Sequence, residues 1–432
     1  MQEIINTRLL FVILLIIISF FVILKSKSVK SEKDFTIANR KLTSFGVSNA
    51  IIGTLVGGAA TIGTVQLAYM YGLAAWIFTL FSGVACLFLG AFFSKALRSE
   101  EVVTVSEFIG NRFGNKARVY TSVLSSIGMY IHIVAQFLAA MSIIETVFGF
   151  NATTSMIITF ILILIFVLSG GIVSSSLVGE IKTFMLYILM LLSASIVIIK
   201  QNGISNLIGS LPDKNMLSIF SYGKSKAIQD MIAMVIGVLS TQTYLQAIFS
   251  AKDVRTARNG AFLSALLIPP IGLMGILVGM YMRIHHPELI NNTVVVFPYF
   301  LKFYFNPILT ALFLSFLTII TLGTASGLTL GVTTNLYVDV LKSLIKKNTS
   351  KGIREIKTTG FLVLASSMFL VVTGLHSAIL SWSYLSMGIR GSAVFLPLLF
   401  IILIKDEEIL NKLKPIIFIA PFFYILISIA LR

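Results

Sequence analysis

The residue in this chain best equipped for chemistry is Arg390. It stands in Ser386-Met387-Gly388-Ile389-Arg390-Gly391-Ser392, about midway along an apolar stretch of membrane-spanning length, with glycines on either side that let a helix bend. An arginine at that depth costs at least about 2.5 kcal/mol on insertion scales, and by default it marks a functional site. Its planar fork suits a carboxylate. Two plainer readings stand beside that one. Arg390 pairs with a protein carboxylate or with backbone carbonyls, or it lies nearer an interface and snorkels. Acidic candidates inside apolar stretches are few: Glu145 near one helix end and Glu180 near another. Gln66, His132, Gln136, Thr241, Gln242 and Gln246 are further polar residues on apolar stretches. His132 and Gln136 are four apart and so share one helix face. Each of these serves equally well in interhelical hydrogen bonding, worth about 0.6 kcal/mol on average.

No catalytic constellation is visible. His285 and His286 have Glu288 nearby, but adjacent histidines point in different directions on any regular element, which argues against a metal site. Gly57-Gly58 lacks the lysine of a phosphate-binding loop, which argues against an ATP-driven pump. Cys86 is the single cysteine, so one chain holds neither a disulfide framework nor a cysteine metal cluster. The expectation is a protein that is not an enzyme and carries no organic cofactor.

The elements that must position these residues are membrane helices. Hydrophobic residues make up 57% of the 432 positions and charged residues 12%, far from the balance of a soluble domain. At about 20 residues per crossing, the spans fall near 8–25, 45–70, 73–95, 117–148, 153–170, 177–199, 227–250, 258–283, 306–334, 358–376, 378–404 and 415–431. The first lacks a strong basic leader and a small-residue cleavage site, so it reads as a retained helix. The net charge of +16 is carried mostly in short loops, where it acts as a topology signal rather than a nucleic-acid surface. With both termini outside, most basic residues fall on the inner side, Lys182 counted among them. The chain then divides into an extra helix and basic loop (1–44), a first five-helix repeat (45–200), an external loop (201–226), a second five-helix repeat (227–404) and a final extra helix (405–432). Five helices per half gives the halves opposite topology, the usual plan of secondary transporters.

Residues 50–72 interrupt an apolar span with Gly53, Gly57, Gly58 and Gly63. Glycine at a helix centre permits close packing or an unwound turn whose carbonyls face a cavity. The order of motifs resembles the sodium:solute symporter family. Asp34-Phe35 with Ala38-Asn39-Arg40 looks like its leading signature, and Gly63-Thr64 with Leu67-Ala68-Tyr69 and Tyr71-Gly72 is similar to its next passage. Tyr244-Leu245-Gln246, Ala251-Lys252 and Ala257-Arg258-Asn259-Gly260 follow in the family's order, then Gly323-Thr324-Ala325-Ser326 running to Asp339.

The resemblance implies an all-α polytopic membrane protein with a LeuT-like fold: two inverted five-helix repeats and one extra helix at each end, about 12 transmembrane helices. It implies a sodium ion, as coupling ion, held by the carbonyls of Gly53, Val56 and Ile320 and the hydroxyl of Thr324. Gly323 stands where the family has another hydroxyl, so Thr321 or a water fills in, or the site is weak or absent. Solute contacts are implied for Gly57, Gly58, Thr61, His132, Gln136, Thr241, Gln242 and Arg390, and Glu180 aligns with an acidic position beside the ion path. The function expected is sodium-coupled symport of a small organic solute, anionic if Arg390 reads it, by alternating access. A proton-coupled or ion-independent transporter of the same fold and a transporter-like solute sensor are the alternatives. The partners expected are that solute, sodium and the lipid bilayer, and a monomer suffices for this plan.

Overall fold

The computed structural model describes residues 2–26, 40–100, 102–169, 172–341, 352–374 and 377–430. Each span predicted from the sequence contains a helix. The first half contains α1 (Gln2–Ser26), α2 (Ser44–Leu55), α3 (Thr64–Tyr71), α4 (Trp76–Phe88), α5 (Ser94–Ser99), α6 (Val105–Phe113), α7 (Asn115–Phe148), α8 (Ala152–Ser169) and α9 (Ile172–Lys200). The second half contains α10 (Lys224–Val238), α11 (Gln242–Phe249), α12 (Val254–His285), α13 (Val296–Tyr304), α14 (Pro307–Asn335), α15 (Gly352–Gly374), α16 (Ile379–Leu403) and α17 (Glu407–Ala430). Among the described residues 8 helices are long and apolar enough to cross a membrane. Residues 34–39 of the leading signature and Gly170-Gly171 lie outside the described residues.

The longest helix, α7, is the axis of the core and packs on both α16 and α14. Its buried face carries His132 and Gln136. On the other side of the core, α2 packs against α9 and α12, and α3 and α4 lie along α12. The extra helix α1 docks on α14, where Ser315 Oγ donates to the Phe11 carbonyl at 3.1 Å.

The first helix of each half is broken. Helix α2 stops at Leu55, because Val56 turns away at φ −90°, ψ 82°, and the chain resumes helix through a wide turn at Ala59–Gly63. Helices α10 and α11 are separated by Leu239, Ser240 and an extended Thr241. The first break is written in glycine, which is a poor helix former. Close approach also demands it: a Cβ on Gly58 would lie 2.3 Å from that of Ala139, and one on Gly57 would lie 2.5 Å from Gln136 Oε1.

Polar contacts tie the bundle at both ends. At one end an isolated parallel bridge pairs Leu42 with Ala251, and Arg98 Nε donates to the Ala251 carbonyl at 2.6 Å. At the same end buried Asp339 accepts from Thr104 Oγ1 at 2.9 Å and from Arg118 Nε at 2.8 Å. At the other end Gln66 donates to Thr293 Oγ1 at 3.0 Å and accepts from Ile379 N at 2.9 Å. Tyr69 closes the same end by donating to the His286 carbonyl at 2.8 Å.

Candidate functional site

The break at residues 56–58 strips backbone groups of their helical partners, and buried groups of that kind must find others. Gly58 N donates to Gln136 Oε1 at 2.8 Å, which anchors the restarted helix to α7. Thr61 is bonded back to the Gly57 carbonyl at 2.9 Å. Across the break, Thr324 Oγ1 on α14 lies 3.4 Å from the Gly53 carbonyl and 3.0 Å from that of Ile320. Thr324, Gly53 and Ile320, three of the groups implied for a cation, are thus brought together, with Val56 at the break beside Gly53. Thr321 adjoins the same turn: a Cβ on Gly58 would lie 2.7 Å from its Cγ2, while its hydroxyl bonds back to the Thr318 carbonyl at 2.7 Å.

The site holds a residue that the sequence reading places with the inner loop. Lys182, on α9, is 3% exposed. Its ammonium donates to the Gly53 carbonyl at 2.5 Å and to Thr324 Oγ1 at 2.6 Å. Two features of α9 put it there. The helix begins at Ile172 rather than near 177, so Lys182 lies almost three turns inside it. Gly179, on the same face, lets α9 approach α2 until an added Cβ would lie 2.2 Å from the Asn49 carbonyl. Glu180, two residues before Lys182, is exposed, because positions two apart do not share a helix face. A lysine inside an apolar span is the signal that finds this residue from the sequence, by the same reasoning that singles out Arg390.

Arg390 is 0% exposed and lies against α7, where Gly128 makes room for it. Its Nη2 donates to His132 Nδ1 at 3.0 Å and to Ser386 Oγ at 2.9 Å, and Nε donates to the Ser386 carbonyl at 3.2 Å. With Nδ1 accepting, the His132 proton sits on Nε2, which faces Ser383 Oγ at 3.4 Å. Arg390 Nη1 is buried with no hydrogen bond, and no carboxylate pairs with Arg390 among the described residues. Tyr244 Oη lies beside the guanidinium and interacts with it, although neither Nη1 nor Oη completes a hydrogen bond of good geometry, and Gln136 Nε2, one helical turn along α7 from His132, is buried without a hydrogen bond. The reading in which Arg390 snorkels to an interface does not hold for a side chain that is wholly enclosed.

The remaining predicted contacts are differently placed. Thr241 stands at the second break with its hydroxyl bonded back to the Gly237 carbonyl at 2.6 Å. Gln242 accepts from Val105 N at 2.9 Å and donates to the Val103 carbonyl at 3.0 Å, so its amide fastens the segment before α6. Both ends of that amide are therefore engaged by the protein itself.

Residues 35–407 match the sodium:solute symporter family model. Over 276 residues the chain is 24% identical to an uncharacterized symporter, YwcA, of Bacillus subtilis (strain 168). That match covers 62% of this chain and 53% of the relative, so the matched part spans about half the length of that protein. Among solved structures, a Na+-coupled sialic acid symporter in a substrate-bound outward-open state superposes with a TM-score of 0.74 at 14% identity, covering 97% of each chain. Mhp1, a nucleobase-cation-symport-1 family transporter, superposes with a TM-score of 0.60 at 12% identity, over 85% of this chain and 81% of its own. The Eremococcus coleocola manganese transporter gives 0.53 at 14% identity, over 94% and 90%. The architecture shared with these structures is the LeuT-like fold expected from the sequence.

Proposed function

The chain belongs to the sodium:solute symporter family, and from that premise we propose that it is a secondary active transporter of a small organic solute bearing an anionic group. The observation that carries the solute class is Arg390, enclosed in the core with one guanidinium nitrogen completing no hydrogen bond of good geometry and, among the described residues, no carboxylate beside it. Leaving a charged donor unmatched in a low-dielectric interior is costly. A carboxylate arriving with the solute relieves that cost and completes a charge-assisted pair. His132 and Ser386 hold the guanidinium in one orientation, and Tyr244 Oη and Gln136 Nε2 offer neutral groups for the rest of the solute. Gly57, Gly58 and Thr61 form the wall at the break, and Thr241 the wall at the second break.

Transport follows by alternating access, with the broken helices swinging against the scaffold that contains α7 and α14. The contacts that close the two ends, Leu42 with Ala251 and Gln66 with Thr293 and Ile379, would open in turn. We place both termini outside, on the distribution of basic residues, with the two repeats at 45–200 and 227–404. Glu180 stays a candidate for the ion path only at its exposed approach. Sodium is the family's coupling ion, but the oxygens implied for it at Gly53 and Thr324 already face a cation belonging to the protein.

The test is uptake into proteoliposomes from a panel of carboxylates, amino acids and sugars. Accumulation of a carboxylate, lost in Arg390→Gln while the variant remains folded, supports the reading. Binding without accumulation would point instead to a solute sensor, and transport of an uncharged solute by Arg390→Gln at the parent rate would remove the anion.

A further inference from the structure

We propose that Lys182 is a tethered cation that takes the place of a sodium ion between the first broken helix and α14, so that sodium does not bind there in this protein. The inference rests on the transport reading only for the meaning of the site; its geometry stands independently. Three elements converge. Helix α2 presents the Gly53 carbonyl just before its break, α14 presents the Thr324 hydroxyl, and α9 delivers the ammonium onto both. Gly179 sets the α2–α9 distance, and Gly327, one turn from Thr324, does the same for α2 and α14: an added Cβ there would lie 2.9 Å from Thr54 Cγ2.

An alkali-metal ion and an ammonium make the same demand on this site, which is for neutral oxygens of modest charge. They differ in that the lysine arrives with its own chain and cannot diffuse away. No carboxylate pairs with Lys182 among the described residues, so none of them offsets a second positive charge. A sodium ion on the same two oxygens would lie within about 4 Å of Nζ, and at an effective dielectric near 20 their repulsion weakens its binding by at least roughly a thousandfold. The departure at Gly323, where the family pattern has a hydroxyl, agrees with this. A site already filled by an ammonium does not need that further oxygen to complete a metal's shell. In the family's scheme the ion joins α2 to α14 when it binds. Here a covalently held cation makes that link, and Lys182 must move for α2 to leave α14.

The experiment compares thermal midpoints of the purified full chain in NaCl and in choline chloride, at equal ionic strength and constant pH. It needs neither the solute nor transport, so failure to find uptake would not touch it. The parent and Thr324→Ala are expected to show the same sodium response, since Thr324 holds no sodium. Lys182→Ala vacates the oxygens and is expected to gain a sodium-specific rise of at least about 2 °C over the parent. Lys182→Ala/Thr324→Ala is expected to lose that gain. A parent sodium response that Thr324→Ala diminishes would overturn the proposal. So would a folded Lys182→Ala with no added response. If Lys182→Ala does not fold, the comparison of the parent with Thr324→Ala decides alone.

Discussion

Among the described residues two cationic side chains, Lys182 and Arg390, lie buried in this bundle, and they differ in what they leave unmatched. Lys182 is hydrogen-bonded by the protein: a backbone carbonyl and a hydroxyl face its ammonium, and they belong to two different helices. Arg390 is held but not matched. His132 and Ser386 fix one edge of the guanidinium, while Nη1, beside Tyr244, completes no hydrogen bond of good geometry. Burial alone therefore does not mark a binding site. On the proposed reading the hydrogen-bonded lysine is part of the machinery, whereas the oriented arginine with a donor left over is addressed to a ligand. The shape of the side chain suits each role, since the ammonium is a compact point charge and the guanidinium a rigid fork that recognises planar anions.

The most damaging change to this contrast is Arg390→Gln, expected to lower uptake of the carboxylate solute by at least about 100-fold. Arg390→Lys is expected to fall nearly as far, because a point charge cannot restore the fork. Uptake at parental level in either variant would make Arg390 merely structural. Next in size is Gln136→Leu, which leaves Gly58 N buried without an acceptor. It should cost about 1–3 kcal/mol of stability, read as a lower thermal midpoint. A midpoint equal to the parent's would mean that the break needs no support from α7.

His132→Ala sharpens the Arg390 half of the contrast. It frees the guanidinium edge without removing its charge, so the solute KM should rise roughly tenfold while expression is retained. The smallest effect is expected at Asn306, whose side chain caps α14 by accepting from Leu309 N at 2.9 Å. Asn306→Ala should cost about 1 kcal/mol in stability and leave both the sodium response and the solute KM unchanged, which sets the scale for changes remote from either cation.

The first break is legible because glycine is written into it: Gly57-Gly58 marks the place where the helix can pack closely or unwind. The second, at Leu239-Ser240-Thr241, contains no glycine or proline, and its position depends on what packs around it. For Gln242 the family resemblance implies a solute contact, while its polarity on an apolar span is equally consistent with interhelical hydrogen bonding. Only the path of residues 103–105 shows why its amide is engaged elsewhere.

What the sequence determined by itself is the class of molecule. Apolar runs of bilayer length, halves of five helices, a glycine-broken first helix and an arginine in the middle of a span follow from hydropathy and local backbone preference, which act along the chain. What the tertiary structure decided is which charge meets which oxygen. Lys182 is 129 residues from Gly53 and 142 from Thr324. No local rule links them. The close approach of α9 at Gly179 turns a basic residue near a predicted span edge into a cation at the centre of the protein, because side-chain electrostatics depend on distance in space and on the exclusion of water, neither of which is a property of sequence position.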